Sequence, residues 1–477
     1  MNRPERTFTI HILQNTLLCA LVLLTPISVS AGAKINLVIL HVNDTHGRLQ
    51  PYQHQGASFG GIARLSTLLK QTRRENPGRV LFLHAGDIFS RGDPTTVYYG
   101  GRANFHIYEK MGVDAITPGN GEFYMGIENL QEQAARVSTP FIHANAIYKH
   151  HGGSLFPPYI IKEVNGVTIG ILGLGLVRSW HNSSHHLRLA DPIEVAKQYV
   201  PELRPQVDLL IALTHIQAKN DSLLAAAVPE LDLIVGGDSH TRLDSPSRIF
   251  RANSEGSVPM VQARHYFQFV GRVDIELERD QDNVRVKRVD GRLIPIDAKI
   301  EADPEINKVI AQYTKPLEEI IAHSEIDLPN NRDAPSPLGD LVAKAVLAQT
   351  RADIAVVYGN QGEVDIQPGP ITLGDINRIR WYHSRLVTVR LTGAQIQQWL
   401  AAGFFNVAGC QFTKIHDQIT DLRIGGQPVD LAAHYLVATE QQAAFRSTTF
   451  ESLQLDFTGL RVDTAVEAYL RRVAVVR

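Results

Sequence analysis

The chain has 477 residues, of which 44% are hydrophobic and 20% are charged, and its formal net charge is -2 at pH 7. This composition is typical of a globular protein with two or three domains. The balanced charge provides neither a large basic field nor an acidic tail, so nucleic-acid binding is not expected.

The first 33 residues form a segment of their own. Two arginines precede an uncharged stretch with an apolar centre at residues 17–24, and Ala31-Gly32-Ala33 then offers a small-residue cleavage site. This order predicts a secretory signal peptide over residues 1–33 and a periplasmic or secreted protein. An uncleaved membrane anchor is the alternative, but the apolar centre is short for a span. Cleavage would leave Cys410 as the remaining cysteine, so no internal disulfide is expected.

Residues 34–300 alternate between short apolar runs and helical patterns, as in layered α/β domains. Strands are predicted at residues 35–41, 79–84, 115–117, 140–146, 208–213, 232–235, 258–263 and 269–277. Helices are predicted at residues 61–74, 105–111 and 128–137. Asn165-Gly166 separates two β-type runs within residues 160–174 and predicts a hairpin.

Potential metal ligands follow five of these strands within a few residues of the strand end. They are Asp44 and His46, Asp87, Asn120, His215, and Asp238 and His240. Any one of them alone could be a turn former or a surface histidine. The carboxyl ends of strands in an open α/β sheet converge on one crevice, so the whole set predicts a shared site. Carboxylates combined with imidazoles suit divalent metals such as Mn, Zn, Fe or Co.

The C-terminal third begins with a helix signal, in which Asp303 is the N-cap and Pro304 the first helical residue. Its apolar stripe continues to Ile321, so one linker helix is predicted over residues 303–323. A second domain is predicted beyond it. That domain has helices at residues 338–349 and 394–401 and strands at residues 353–357 and 386–391.

Several motifs resemble those of the secreted 5′-nucleotidase family of metallophosphoesterases, and the resemblance covers nearly the whole mature chain. The motifs are Asn43-Asp44-Thr45-His46-Gly47-Arg48-Leu49, Gly86-Asp87, Gly119-Asn120-Gly121-Glu122-Phe123, His215, Gly236-Gly237-Asp238-Ser239-His240, Gly369-Pro370-Ile371-Thr372 and Leu391-Thr392-Gly393. The resemblance implies a four-layered α/β/β/α metallophosphatase domain over residues 34–300 and a linker helix over residues 301–325. A smaller α/β substrate-binding domain would then occupy residues 326–477.

The resemblance also implies two divalent metal ions, which could be Mn, Zn, Co, Fe or Mg. Asp87 would bridge the two ions. One ion would bind Asp44, His46 and His240, and the other would bind Asn120, His215 and Asp238. In the family these ions activate a water molecule for in-line attack on a phosphate ester.

The chain departs from the family pattern at the catalytic dyad. Gly121 replaces the family's histidine after Asn120, and Tyr124 replaces its aspartate partner. Loss of a positioned acid lowers a rate by about 10²–10⁴-fold. We therefore name Asn120 and Glu122 as the candidate catalytic residues, with Glu122 the possible replacement acid.

Three other family positions are also changed. Asp238 replaces a histidine ligand and should favour a harder metal such as Mn or Mg. Glu363 stands where the family has a phosphate-binding arginine. Phe404, or Phe405 beside it, supplies one aromatic for stacking a nucleobase, but the partner position is Gln442.

The function predicted from these residues is an exported, dimetal-dependent hydrolase of a small phosphate ester, with nucleotides as the expected substrates. Two alternatives stay open. One is a thiosulfohydrolase-like relative. The other is a metal-binding or ligand-binding protein in which the fold has outlived catalysis.

Overall fold

A computed structural model describes residues 32–89, 93–176, 186–250, 256–281, 283–331, 333–358, 364–379, 384–450 and 453–477. Most of the predicted signal peptide, and also Glu363, lie outside these described residues. None of the described helices is both long enough and apolar enough to span a bilayer.

Residues 32–314 contain fifteen described strands and seven described helices. The strands are β1 (Ala33–Val42), β2 (Pro51–His54), β3 (Ala57–Gly60), β4 (Val80–His84), β5 (Ala115–Ile116), β6 (Ala146–Tyr148), β7 (Tyr159–Val164), β8 (Val167–Leu174), β9 (Leu187–Leu189), β10 (Leu209–Thr214), β11 (Leu233–Val235), β12 (Ser247–Phe250), β13 (Ser257–Val261), β14 (Phe269–Asp280) and β15 (Asn283–Pro295). The helices are α1 (Ile62–Glu75), α2 (Pro94–Tyr98), α3 (Arg102–Met111), α4 (Ile127–Ala134), α5 (Pro192–Leu203), α6 (Ala218–Ala227) and α7 (Pro304–Thr314).

Two large sheets pack face to face in this part of the chain. Their strand orders are β15-β14-β1-β4-β5 and β12-β13-β11-β10-β8-β7. In β1, Leu37 and Ile39 point into the core between the sheets, while Val38 and Leu40 pack on the outer helices. Strands buried on both faces read as continuous apolar runs, which is why they were recognisable in the sequence. The predicted α/β/β/α layering is confirmed.

The predicted hairpin is confirmed, because Asn165 and Gly166 connect β7 and β8 with φ angles of 51° and 72°. The predicted strand at 140–146 is wrong. That segment crosses between the sheets, with Ile142 N donating to Ile116 O of the first sheet and Ala144 N to Gly173 O of the second. The sequence analysis also missed β15, an edge strand in which exposed charged residues alternate with valines.

The predicted linker helix is shorter than expected. Asp303 caps α7 by accepting a hydrogen bond from Glu305 N (3.0 Å), but α7 ends at Thr314. Pro316 lies in a 3₁₀ turn, since its ring and missing N–H do not fit a continuing α-helix. Ile321 belongs to a strand, β16 (Ile320–Ser324), and not to the helix. The division of the chain at residues 300 and 325 stays a prediction.

The C-terminal part is a smaller α/β unit. Its strands are β16 (Ile320–Ser324), β17 (Ile354–Tyr358), β18 (Gly369–Thr372), β19 (Arg385–Thr392), β20 (Phe405–Ala408), β21 (Cys410–Ile415), β22 (Gln418–Ile424), β23 (Gln427–Pro428), β24 (His434–Glu440), β25 (Asp456–Arg461) and β26 (Val475–Val476). Its helices are α8 (Pro337–Thr350), α9 (Leu373–Ile376), α10 (Gly393–Ala401), α11 (Gln441–Arg446) and α12 (Val462–Val473). The central sheet has the order β20-β17-β24-β19-β25. Helices α8 and α12 cover one face of this sheet, and α10 covers the other.

Candidate metal centre

The residues singled out as ligands follow strands of both large sheets. Asp44 and His46 follow β1, Asp87 follows β4 and Asn120 follows β5, which are parallel neighbours. His215 follows β10, and Asp238 and His240 follow β11, which is parallel to β10. All of these side chains come from the carboxyl ends of their strands, so the two sheets contribute ligands from the same end of the sandwich.

Two overlapping groups of side chains have the geometry of metal sites. The first contains Asp44, His46 and His240, and the second contains Asp44, Asp87 and His215. His240 Nε2 lies 2.9 Å from His46 Nε2 and 3.3 Å from Asp44 Oδ1. His215 Nε2 lies 3.3 Å from Asp87 Oδ1 and 3.9 Å from Asp44 Oδ1. Asp44 is thus shared by both groups.

The remaining two candidates extend the second group. Asp238 Oδ1 lies 3.6 Å from His215 Nε2. The Asn120 amide comes within 2.8 Å of the same Asp238 oxygen when its nitrogen faces that oxygen. Asp87 also reaches the first group, since its Oδ2 lies 3.8 Å from His46 Nδ1. The structure therefore brings all seven sequence-derived candidates together, and their role as ligands stays a prediction.

The protonation pattern of His215 fits a cation. Its Nδ1 lies 2.7 Å from Ala85 O and donates to that oxygen, so Nε2 is the nitrogen directed toward the carboxylates. His215 Nε2 and Asp44 Oδ1 are buried atoms without a hydrogen-bond partner among the described residues. A buried lone pair beside a buried carboxylate oxygen is costly unless a cation or proton lies between them. The side chains present therefore fit divalent metal ions.

The carboxylates around His215 and His240 also favour binding of divalent cations. Burial lowers the pKa of His215, but Asp87, Asp238 and Asp44 outweigh it and raise that pKa well above its ordinary value. The pKa of His240 is likewise raised despite burial, because of Asp44, Asp87 and Asp238. The site without metal therefore has a negative potential, which favours binding of divalent cations.

The backbone at the ligands is held in an uncommon conformation. Asp44, His46, Asp87, Asp238 and His240 all have φ angles between 49° and 72°, in the left-handed region. Such conformations cost about 1–3 kcal/mol each and persist where the surrounding structure fixes them, often at functional sites. The turns after β1, β4 and β11 thus aim side chains into the site at a cost in local stability.

Close packing behind the ligands requires a glycine at position 119. A Cβ there would lie 2.4 Å from Asp87 Oδ1 and 2.6 Å from His215 Nε2. Any side chain at this position would therefore displace both ligands. This explains physically why Asn120 is preceded by glycine.

Glu122 does not have the geometry of an exposed proton donor. It is fully buried, and its two carboxylate oxygens accept hydrogen bonds from four backbone N–H groups. These are Gly119 N (2.6 Å), Asp87 N (3.0 Å), Ile88 N (2.6 Å) and Phe89 N (3.2 Å). Glu122 therefore ties the turn that carries Asp87 to the turn that carries Asn120, which is a positioning role.

Replacing Glu122 by glutamine tests this role. An amide offers one acceptor oxygen and turns an N–H₂ group toward backbone donors, so we expect the free energy of unfolding to fall by about 2–3 kcal/mol. Thermal denaturation would measure this loss, with Glu128→Gln at an exposed position of α4 as the control. Unchanged stability together with a lost alkaline limb in the pH–rate profile would instead assign Glu122 as the acid.

Asn43 supports the site and was missed by the sequence analysis. Its Nδ2 donates to Asp44 Oδ2 and to Arg264 O, both at 2.6 Å, and its Oδ1 accepts from Ala263 N at 2.8 Å. It therefore fixes the Asp44 carboxylate to the loop between β13 and β14. The sequence feature that could have indicated this role is that Asn43 directly precedes Asp44.

The aromatic residues of the C-terminal part differ in accessibility. Phe404 is 59% exposed, and Lys414 Nζ lies 5.1 Å from its ring centroid. Phe405 is buried against Tyr358 and Trp399. Of the two aromatic candidates, Phe404 is therefore the one available to a ligand.

Comparison with known proteins gives two family matches. The calcineurin-like phosphoesterase family matches residues 37–242, and the 5′-nucleotidase C-terminal domain matches residues 309–452. A 5′-nucleotidase of Vibrio cholerae is 29% identical over 471 residues, covering 85% of this chain and 84% of the relative. The protein UshA of Escherichia coli is 26% identical over 470 residues and covers 84% of each chain. The crystal structure of a 5′-nucleotidase precursor from Thermus thermophilus is 25% identical with a TM-score of 0.66, covering 93% of this chain and 97% of that one.

Proposed function

The chain belongs to the 5′-nucleotidase family of metallophosphoesterases, and we propose that it is an exported, dimetal-dependent hydrolase of nucleotides or related phosphate esters. The observation that carries this proposal is the pair of histidine–carboxylate groups that share Asp44. Two such groups side by side suit a dinuclear centre.

We assign the ligands as follows. Asp44, His46 and His240 would hold one ion, Asn120, His215 and Asp238 would hold the other, and Asp87 would serve both. Asp44 would also serve both ions, because its Oδ1 lies within 3.9 Å of His46, His215 and His240. Divalent ions held there would supply Lewis acidity toward phosphoryl oxygens and lower the pKa of water.

The residues of the site have further roles besides binding the ions. Asp44, Asp87 and Asp238 balance the charge of the ions. Asn120 can also turn its amide toward a phosphoryl oxygen, which makes it the candidate catalytic residue. Glu122 keeps Asp87 and Asn120 in register through its hydrogen bonds to Asp87 N and Gly119 N. Because Gly121 has no side chain and Tyr124 has no carboxylate, the His–Asp dyad of the family is absent, and we expect a slow enzyme.

The nucleotide preference is supported by the names of the relatives and by Phe404. An exposed aromatic ring offers a stacking surface for a base. Export is supported by the N-terminal pattern of residues 1–33. Nothing in the comparisons favours the thiosulfohydrolase-like alternative.

Phosphate release from purified protein tests the proposal. Mature protein loaded with Mn, Co or Zn is incubated with a panel of nucleotides and sugar phosphates. We expect metal-dependent phosphate release that is abolished by a chelator and restored by metal. Absence of release from every compound with every metal would contradict the proposal and favour a protein that has lost catalysis.

A further inference from the structure

Solvent reaches the metal centre from the side of His240. The His240 side chain is 37% exposed, whereas those of Asp44, Asp87, His46 and His215 are at most 7% exposed. Asn120 is 7% exposed. A substrate therefore reaches the metal centre by passing the residues that lie beside His240 and His46.

Half-buried aromatic and cationic side chains form the rim on this side. The Tyr266 ring centroid lies 5.3 Å from that of His46, and the Arg48 Cζ lies 4.3 Å from the Tyr266 ring. Arg48 Cζ also lies 4.9 Å from the centroid of the Tyr52 ring, which contacts the Tyr266 ring edge to face. His265 stacks on His240 with ring centroids 4.6 Å apart. We call Arg48, Tyr52, His265 and Tyr266 the arginine–tyrosine wall.

The wall is fixed directly to the ligand-bearing turn. Tyr266 N donates to Asp44 O (2.9 Å), and Arg264 N donates to Thr241 O (3.1 Å). Arg264, Tyr266 and Phe267 have φ angles of 63°, 57° and 56°. Three bulky residues in the left-handed region within one loop are uncommon and costly, and such strain concentrates at ligand sites.

The charge of Arg48 has no carboxylate partner among the described residues, and its Nε is a buried donor without a hydrogen bond there. Arg242 is a natural comparison. It also lies two residues after a ligand histidine and over an aromatic ring, with its Cζ 4.7 Å from the Phe269 ring. Arg242, however, is neutralised by Asp244, through its Nε at 2.9 Å and its Nη2 at 2.8 Å. Arg48 is therefore a stacked guanidinium available to an anion.

We propose that Arg48 forms a subsite for a second anionic group of the substrate, next to the phosphoryl group at the metal centre. This inference rests on the proposed phosphoesterase function. The Tyr266 ring contacts both Arg48 and His46, so Arg48 lies close to the ligands, where the next phosphate of a longer substrate would lie. The fork of a guanidinium matches phosphate oxygens, and contacts with the Tyr52 and Tyr266 rings hold the Arg48 guanidinium in place. The substrates selected are phosphate esters with an adjacent second phosphate.

The test compares Arg48→Met with Arg242→Met in metal-loaded protein. Methionine keeps an unbranched apolar stem in each site and removes the charge. The ratio of kcat/KM for ADP to that for AMP is measured, as is calorimetric binding of methylenediphosphonate and methylphosphonate after excess metal is removed. We expect Arg48→Met to lower the kcat/KM ratio of ADP to AMP about tenfold. The affinity ratio of methylenediphosphonate to methylphosphonate should fall by a similar factor. We expect Arg242→Met to leave them unchanged.

The outcomes separate this inference from the proposed function. An unchanged ratio in folded Arg48→Met, or an equal loss for ADP and AMP, overturns the subsite while leaving the hydrolase in place. If neither ester is hydrolysed but Arg48→Met still loses the diphosphonate preference, the subsite stands and the hydrolase fails. If Arg48→Met does not fold, Arg48→Lys takes its place, since lysine keeps the charge but not the fork. A lowered ratio in Arg48→Lys then supports the subsite, and an unchanged ratio overturns it.

Discussion

Replacing Asp87 by asparagine lowers kcat/KM for phosphate release at least about a thousandfold. Asp87 approaches both histidine groups, with Oδ1 at 3.3 Å from His215 and Oδ2 at 3.8 Å from His46. Asparagine keeps the size of the side chain and removes the negative charge, so both proposed ions lose a carboxylate. Lewis-acid stabilisation by metal ions contributes several kcal/mol, and each 1.36 kcal/mol corresponds to a factor of ten in rate.

Two measurements accompany this variant. Phosphate release gives the rate, and elemental analysis gives the metal content per chain, which we expect to fall. Asp290→Asn, at an exposed position of β15 paired with Arg288, is the matched control and should keep both values. Full activity in Asp87→Asn would rule out a shared carboxylate at this position.

Restoring the family dyad gives the largest expected gain. We expect the double variant Gly121→His, Tyr124→Asp to raise kcat about 10²-fold, because a positioned acid contributes about 10²–10⁴-fold. Gly121 begins a 3₁₀ turn, Gly121–Phe123, and is not among the glycines with positive φ, so the backbone accepts a side chain there. Residues three apart in such a turn lie on one face, which brings the two new side chains together.

The control for this gain is Gly121→Gln, Tyr124→Asn, which adds similar polar bulk without a titratable pair. It should leave kcat near the value of the unmodified chain. A gain confined to the His–Asp variant would show that the metal centre is intact and that only the acid is missing. Equal rates in all three proteins would show that some other group already performs this step.

The site could be predicted from the sequence because each ligand lies next to a strand that is recognisable by itself. Each candidate ligand follows a strand that is buried on both faces, and such strands are recognisable as apolar runs. The direction of those strands then determines where the side chains meet. Asp44 and His215 are far apart in the chain and follow strands of different sheets, yet their proximity was expected because both lie at carboxyl ends of strands.

The features that were missed depend on contacts between distant segments. Residues 140–146 are apolar enough for a strand, but Ile142 N and Ala144 N donate hydrogen bonds to two different sheets. Beyond the turn that contains Pro316, Ile321 belongs to β16, a strand that pairs with the distant strands β18 and β26. The stacking of Arg48 on Tyr266 joins segments more than two hundred residues apart, and no local pattern indicates it.

The role of Glu122 shows a further limit of motif reading. Its position beside Asn120 suggested a replacement acid, since a carboxylate near the site is the natural substitute for a lost histidine. The hydrogen bonds that occupy both of its oxygens come from the turns after β4 and β5. Only the folded arrangement of those two turns reveals that its carboxylate faces backbone donors.

The central claim is that Asp44, His46, Asp87, Asn120, His215, Asp238 and His240 hold a pair of divalent cations. Anomalous X-ray scattering from crystals grown with manganese tests it most directly. We predict two manganese peaks inside this cluster, one beside His46 and His240 and one beside His215, with carboxylate oxygens of Asp44 or Asp87 between them. Crystals without anomalous density in the cluster at saturating manganese, or with manganese bound only elsewhere, would contradict the account.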